Sequence, residues 1–156
     1  MIRLAPSQKE KTNMSKLGRY SADRKKVESI TASKQLEVHD CGTLLMLNAA
    51  AGCTITLPSV ADAGKGWWVR IVIGTNVSSN TAVITEKTSV DTDVLVGGIV
   101  ELEVDTSDDG PSTTGATTLT IANALDTVGD FVEIICDGSK FYFHGQTKLD
   151  GCITIA

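Results

Sequence analysis

The stretch CGTLLMLNAAAGCTITLP, residues 41–58, decides the fold class of this chain. Large aliphatic residues dominate 43–48, small residues follow at 49–52, and β-branched residues resume in 53–57. This succession predicts a strand, a tight turn and a second strand. Pro58 then ends the second strand, because proline has no N–H to donate to a ladder. We therefore predict a β-hairpin at the centre of the protein.

The two predicted strands differ in their alternation. In the second strand, aliphatic residues alternate with threonine, which is typical of a half-buried strand. The first is apolar on both faces, because Leu44 and Met46 alternate with further leucines. Such a strand must be covered on both sides, either within its own domain or by a neighbouring subunit. We place Leu45 and Leu47, together with Trp67 from the next strand, at a subunit interface.

The remainder of the chain from Ile30 consists of short apolar runs separated by Gly, Asp, Asn and Ser. Gly97-Gly98 and Asp137-Gly138 each lie between two such runs and predict hairpins, residues 105–115 predict a loop, and 152–155 predict a terminal edge strand. About eight to ten short strands with almost no helix indicate an all-β protein, a compact sandwich or barrel.

Charge divides the chain into two parts. Residues 1–28 carry eight basic and three acidic residues, a net charge of +5, whereas the rest carries six basic and sixteen acidic residues, a net charge of −10. Because residues 1–29 also contain few large hydrophobic residues, we predict a basic N-terminal arm over 1–29 and a β-body over 30–156. The basic residues of the arm are Arg3, Lys9, Lys11, Lys16, Arg19, Arg24, Lys25 and Lys26.

Three interpretations of the arm are open: a nucleic-acid contact, a solvated tail without a task, and an anchor that lies on an acidic protein surface or adds a strand to it. Phosphates would repel the acidic body, and Tyr20 is the only aromatic residue of the arm. We therefore favour the anchor and expect no nucleic-acid partner.

No pattern of residues predicts catalysis. The chain has no G-x-S-x-G, H-E-x-x-H or P-loop motif, and we interpret His39 and His144 as structural or surface residues. The four cysteines show no C-x-x-C pair and are expected to be free thiols. The acidic run 105–110 lacks the glutamate that an EF-hand needs at position 12, so we interpret it as a solvated turn. We expect no enzymatic activity, no cofactor and no metal.

Adjacent Trp67 and Trp68 point to opposite faces of a strand and cannot form one sugar-binding shelf; we expect one in the core and one at a rim or subunit contact. No apolar run approaches 18 residues, so no membrane span is expected. The N-terminal residues lack the apolar segment of a secretory signal, which indicates synthesis in the cytoplasm.

Several stretches resemble a module of tailed-bacteriophage structural proteins, found in head decoration (cement) proteins and in tail-fibre or spike domains. The first part of the resemblance comprises 36–40, 44–47, Ala49-Ala50-Ala51-Gly52, 54–58 and 68–73, and the second comprises the closing segment 131–145. Together they extend over about residues 34 to 145. The short chain with an arm before its β-body resembles the decoration proteins of the lambda-like, β-tulip type.

The resemblance implies a β-tulip-like body that binds the major capsid protein as a homotrimer on the outer surface of a phage head and stabilises the shell through its N-terminal arms. The location implied is the virion, after synthesis in the host cytoplasm. The alternative is a receptor- or glycan-binding module of a tail fibre or spike. An enzyme such as a small depolymerase is a third possibility, for which the sequence offers no cluster of acidic and basic groups.

Overall fold

The computed structural model describes residues 25–79, 81–103 and 110–156, and within them twelve strands form two sheets. The strands are β1 Lys26–Ile30, β2 Lys34–Gln35, β3 Thr43–Leu47, β4 Thr54–Thr56, β5 Trp68–Ile73, β6 Ala82–Thr85, β7 Leu95–Glu101, β8 Ser112–Ala116, β9 Thr118–Ile121, β10 Phe131–Cys136, β11 Phe141–Thr147 and β12 Ile153–Ile155. A 3-10 turn, Val38–Asp40, and a four-residue helix α1, Val60–Ala63, are the helical elements of these ranges. The predicted all-β class is confirmed.

A seven-stranded and a five-stranded sheet pack on one shared core. The larger sheet has the order β1-β3-β5-β10-β11-β7-β8, and the smaller has the order β12-β9-β6-β4-β2. Alternate residues of nearly every strand are buried, so each sheet turns one apolar face inward. The largest fully buried side chains come from both sheets and include Phe141, Leu45, Ile71, Ile134, Ile84 and Leu119.

The chain alternates between the sheets through its first six strands. β1, β3 and β5 are parallel neighbours in the larger sheet, and β2, β4 and β6 are parallel neighbours in the smaller one. Each strand is therefore followed by a crossing to the other sheet. From β7 onward antiparallel pairs appear, among them β7 with β8 and β10 with β11.

Successive crossings are stacked and joined by polar side chains. Asn48 follows β3, donates from Nδ2 to Ser29 Oγ at 2.8 Å, and accepts from Thr75 Oγ1 at 3.1 Å through Oδ1. Ser78 N likewise donates to Ala50 O at 2.8 Å. These bonds connect the ends of β1, β3 and β5 at the same edge of the sandwich.

The predicted hairpin over 41–58 is wrong, although both of its strands exist. β3 lies in the seven-stranded sheet between β1 and β5, and β4 lies in the other sheet between β2 and β6. The small residues 49–52 form the crossing between them, with Gly52 at a φ of 80°. Small residues suit a tight corner between sheets as well as a turn within one, so composition alone does not distinguish the two.

The hairpin predicted at Gly97-Gly98 is also wrong, because β7 runs through both glycines. Gly97 has a φ of 151°, and a Cβ atom there would stand 1.8 Å from the carbonyl oxygen of Phe143 in β11. The register of β7 against β8 shifts between Leu95 and Gly97. The glycines therefore allow a close backbone approach and an irregularity in the sheet, and not a reversal of the chain.

Other local predictions are confirmed. Asp137-Gly138 joins β10 to β11, with Gly138 at a φ of 93° and Asp137 Oδ1 accepting from two following backbone N–H groups. The terminal strand β12 lies at the edge of the five-stranded sheet. The predicted loop over 105–115 is wrong at its end, where β8 begins at Ser112, and residues 104–109 lie outside the described residues.

Candidate functional site

The predicted arm and the body meet in strand β1. Of the eight basic residues of the arm, Lys25 and Lys26 lie within the described residues, and the six from Arg3 to Arg24 lie outside them. Lys26 opens β1, which pairs in parallel with β3 from Lys26 opposite Thr43 to Ile30 opposite Leu47. The predicted boundary after residue 29 thus falls inside a strand of the body's sheet, and β1 occupies the edge of that sheet.

A network of charged side chains holds this edge strand against the smaller sheet. Lys34 in β2 contacts Glu28 in β1 and donates from Nζ to Asp40 Oδ1 at 3.2 Å. Lys26 Nζ lies 3.4 Å from Glu28 Oε2 and 3.6 Å from Asp40 Oδ1. The network therefore connects the first strand of each sheet through the 3-10 turn that carries Asp40.

Asp40 is the buried member of this network, with 1% of its side chain exposed. Burial by itself would raise the pKa of Asp40, but hydrogen bonds from Glu37 N, at 2.9 Å, and from Lys34 outweigh it and hold this pKa below its ordinary value. The hydrogen bond from Lys34 also lowers the pKa of Glu28. Desolvation would lower the pKa of Lys34, yet its bonds to the two carboxylates raise that pKa. All three groups are thereby held in their charged forms.

The three residues predicted at a subunit interface lie inside the chain's own core, which corrects that assignment. Leu45 and Leu47 are fully buried, and Trp67 is 2% exposed. The Trp67 ring packs edge-on against Phe141 with centroids 5.8 Å apart, and its Nε1 donates to Glu37 O at 3.2 Å. The side chains of β3 that face outward are Leu44 and Met46, and because the strand is apolar on both faces, its sequence does not indicate which face the chain itself covers.

The outer face of the seven-stranded sheet is correspondingly apolar. Its apolar side chains are Leu44, Met46, Trp68, Val72, Phe131, Ile135 and Tyr142, interspersed with Arg70, Glu133, His144 and Gln146, and we call it the apolar face. The pair alignments place these side chains in rows across β3, β5, β10 and β11. Ile135 and Tyr142 are 46% and 48% exposed. Large apolar surfaces of soluble proteins often mark sites of contact with a partner.

Trp68 links the apolar face to the predicted arm. The ammonium of Lys25 lies 5.1 Å from the centroid of the Trp68 ring, a cation–π distance. Trp68 is partly exposed whereas Trp67 is buried, so the expectation of one core and one rim tryptophan is confirmed. Lys25, the first of the described residues, therefore lies beside the apolar face.

One cleft adjoins the charged network. It has a volume of about 520 Å³ and is lined by residues of the 3-10 turn and α1, among them Glu37, Val38 and Asp62. Its charged groups are paired with one another: Lys87 Nζ lies 3.7 Å from Asp62 Oδ2, and His39 Nδ1 lies 3.4 Å from Glu37 Oε2. The cleft brings no nucleophile against a base among the residues that line it.

The remaining candidates for chemistry are dispersed. His39 is exposed in the 3-10 turn, and His144 is exposed in β11 beside Phe131. All four cysteines are free, but Cys41 is exposed, unlike the other three. Burial, followed by the charge of Asp130, raises the pKa of the Cys152 thiol to about 12. Within the described residues no three His, Cys, Asp or Glu side chains form a group that would hold a metal ion. The acidic run considered for calcium lies largely outside these residues.

In the ranges that the structure describes, no helix has the length and apolarity to cross a membrane. The chain matches no protein-family model, no curated protein and no solved structure.

The apolar face and the charged network were missed by the sequence analysis. The signal for the face was present: β5 and β10 carry apolar residues at both alternating positions, as β3 does. The network left no local signal, because Lys26, Lys34 and Asp40 come together only when β1 and β2 enter different sheets.

Proposed function

We propose that this chain is a non-enzymatic decoration protein of a tailed-phage head, which binds the major capsid protein on the outer surface of the shell through its basic N-terminal residues and acts there as a homotrimer. The observation that carries the proposal is that the basic residues lead directly into β1, a strand at the edge of the larger sheet. The trimer and the capsid come from the sequence resemblance.

The position of β1 supports an anchoring role. An edge strand has one free row of backbone N–H and C=O groups, and an extended segment continuous with it is suited to pair with a strand of another protein. The positive charge of residues 1–28 contrasts with the net charge of −10 of the remaining chain. An acidic surface would therefore attract these residues and repel the body, which orients the protein on its partner.

Several anchors on one assembly bind more tightly than one. When arms are linked through a common body, the second and third bind at a high effective concentration, and avidity rises by about 10² to 10⁴ over a single arm. Each arm then needs only modest affinity. Loss of positive charge from the arms is accordingly expected to release the whole protein from the head.

The experiment is a binding assay with heads that lack decoration protein, prepared from the phage that encodes the chain. In the test variant Arg3, Lys9, Lys11, Lys16, Arg19 and Arg24 are replaced by glutamine. We expect retention of the folded body, checked by circular dichroism, with loss of binding to heads. A second comparison uses two double variants. Lys9→Gln with Lys11→Gln alters the arm, and Lys65→Gln with Lys148→Gln is the control, since these two lysines are exposed on the body. Equal binding by the six-residue variant and the unaltered chain would sink the proposal.

A receptor- or glycan-binding module of a tail fibre is the second candidate. The observation in its favour is that Trp68 and Tyr142 are both partly exposed on the apolar face, where aromatic rings are available to stack on a ligand. This function predicts binding to host cells or their polysaccharides and no binding to heads. Immunoelectron microscopy of whole particles separates the two candidates, because it places the protein either on the shell or on the tail.

A further inference from the structure

The apolar face carries a regular pattern of charge as well as apolar side chains. In its middle row Arg70 of β5 stands beside Glu133 of β10, since these two residues are direct register partners. Arg70 Nη1 lies 4.0 Å from Glu133 Oε2, and the guanidinium lies 3.8 Å from the Phe131 ring centroid. Both charged side chains are about one-third exposed.

Apolar side chains flank this charged pair on both sides along the strands. The row before it pairs Trp68 with Ile135, and the row after it pairs Val72 with Phe131. The pattern is therefore apolar, charged, apolar along the strand direction, and positive to negative across it. The β5 and β10 columns are complementary to themselves when the face is turned over about an axis that runs along the strands between them. The same rotation places Leu44 and Met46 of β3 opposite His144 and Gln146 of β11.

We propose that the apolar face binds a second copy of this chain, with the two seven-stranded sheets packed face to face about this two-fold axis. Arg70 of one copy then lies opposite Glu133 of the other, and Glu133 lies opposite Arg70. Trp68 faces Ile135 of the second copy, and Val72 faces Phe131. A contact that uses the same patch on both copies requires this self-complementarity.

The charges of Arg70 and Glu133 favour this two-fold axis over an axis across the strands, and a second copy over a partner of a single charge. Rotation about an axis across the strands would place arginine on arginine and glutamate on glutamate, which costs free energy in a contact that excludes water. A strongly acidic or strongly basic partner would leave one member of the pair facing a like charge. A second copy places an opposite charge against both Arg70 and Glu133. Aligned packing of two sheets at about 10 Å is also a common arrangement.

The size of the face sets the expected strength. With strands about 4.8 Å apart and a rise of about 3.3 Å per residue, the six strands from β1 to β7 present a flat area of roughly 400 Å² per copy. Two such faces, increased by side-chain relief, reach the low end of the areas buried in specific interfaces. We therefore expect a dimer that dissociates on dilution.

This pairing goes beyond the proposed function and does not depend on it. Together with the proposed trimer, this pairing gives an assembly with an even number of copies. Failure to bind heads leaves the pairing intact, and failure to pair leaves the arm-mediated binding intact. The two proposals are therefore separable by experiment.

The first measurement is sedimentation velocity of the full chain over a range of concentrations. Ile135→Lys places a charge in the apolar row beside the Arg70–Glu133 pair, at a position that is 46% exposed, and we expect the dimer to weaken about tenfold or more. Val128→Lys is the matched control, because Val128 is 59% exposed and lies outside the apolar face. The control is expected to dimerise as the unaltered chain does.

The second measurement tests the charge pairing directly. Arg70→Glu alone makes the middle row negative, and Glu133→Arg alone makes it positive, so each variant is expected to be monomeric. When the two variants are mixed, opposite charges face each other across the axis, and we expect a mixed dimer. Monomers at every concentration of the unaltered chain, an assembly unaffected by Ile135→Lys, or no dimer in the mixture would overturn the proposal.

Discussion

The two outer faces of the sandwich differ in composition although their strands alternate in the same way. The outer face of the five-stranded sheet carries Thr54, Thr56, Thr85, Thr118, Thr120 and Thr154, and we call it the threonine face. The apolar face carries aromatic and large aliphatic side chains at most of the equivalent positions, and Arg70, Glu133, His144 and Gln146 at the others. Threonine favours strands and can also hydrogen-bond to water, so the threonine face requires no covering layer.

The difference shows that alternation separates inside from outside only where the outer positions are polar. Burial of apolar surface contributes about 25 cal/mol per Å², so an apolar outer face has a substantial free energy available for a contact. The same core supports both sheets, and fold stability therefore does not account for the contrast. The contrast is the reason that the proposed contact with a second copy is placed on the larger sheet.

The largest expected effect separates the inner from the outer positions of a single strand. Leu45→Ala removes a fully buried side chain from the core and should lower the free energy of unfolding by about 2–5 kcal/mol. Leu44→Ala, on the apolar face of the same strand, should lower it by about 1 kcal/mol. Urea denaturation of both variants under conditions that keep the protein monomeric checks this. Equal losses would show that the assignment of the two faces of β3 is incorrect.

The next effect concerns the edge where the two sheets are joined by charges. Asp40→Asn should lower the free energy of unfolding by about 1–3 kcal/mol at neutral pH, because it removes the buried negative charge and replaces one of the two accepting oxygens with an amide NH2 group. The folded-state pKa of Asp40 lies below its ordinary value. The contribution of the Asp40 carboxylate to the free energy of unfolding is therefore fully present above about pH 4 and is lost as the pH falls through the folded-state pKa.

Denaturation curves measured from neutral to acidic pH check this sign. The difference in free energy of unfolding between the unaltered chain and Asp40→Asn should decrease as the pH falls. Asp93→Asn is the control, because Asp93 is exposed and asparagine tolerates its positive φ of 51°. A difference that grows on acidification would contradict the proposed role of Asp40.

A smaller effect follows from exchanging the characters of the two outer faces. Val72→Thr introduces a hydroxyl on the apolar face, and Thr120→Val introduces a methyl on the threonine face. We expect each to change stability by less than about 1 kcal/mol. Val72→Thr should weaken dimerisation about 15-fold, from the loss of about 0.8 kcal/mol of apolar burial in each of the two symmetry-related contacts, whereas Thr120→Val should leave it unchanged. If both variants changed the sedimentation of the protein equally, the claim that only the apolar face takes part in dimerisation would be wrong.

The smallest expected effect concerns the link between the apolar face and the arm. Lys25→Gln removes the cation above Trp68 and should cost about 0.5 kcal/mol. A double-mutant cycle with Trp68→Leu isolates the pair from the general loss of charge, and Lys148→Gln serves as the control. A coupling energy indistinguishable from zero would indicate that Lys25 contributes to the arm alone.

Much of the fold class was predictable because its signals are local. Short runs of β-branched and aliphatic residues identified the all-β class, and Asp137-Gly138 identified the turn between β10 and β11, since both depend on residues close in the chain. The interface assignment of Leu45, Leu47 and Trp67 failed for a different reason. Those residues are apolar, as an interface residue would be, but sequence does not say which of two apolar faces is covered by the chain itself.

The sequence by itself determined an all-β protein whose strands are short and whose positive charge is concentrated before a negatively charged body. Only the tertiary structure decided that residues 43–47 and 54–56 enter different sheets, that Gly97-Gly98 lies within a strand, and that Arg70 meets Glu133 on an apolar outer face. The physical reason is that a strand's period of two is the same whichever strand lies beside it. Its neighbours are selected by packing between residues far apart in the chain, which no local pattern records.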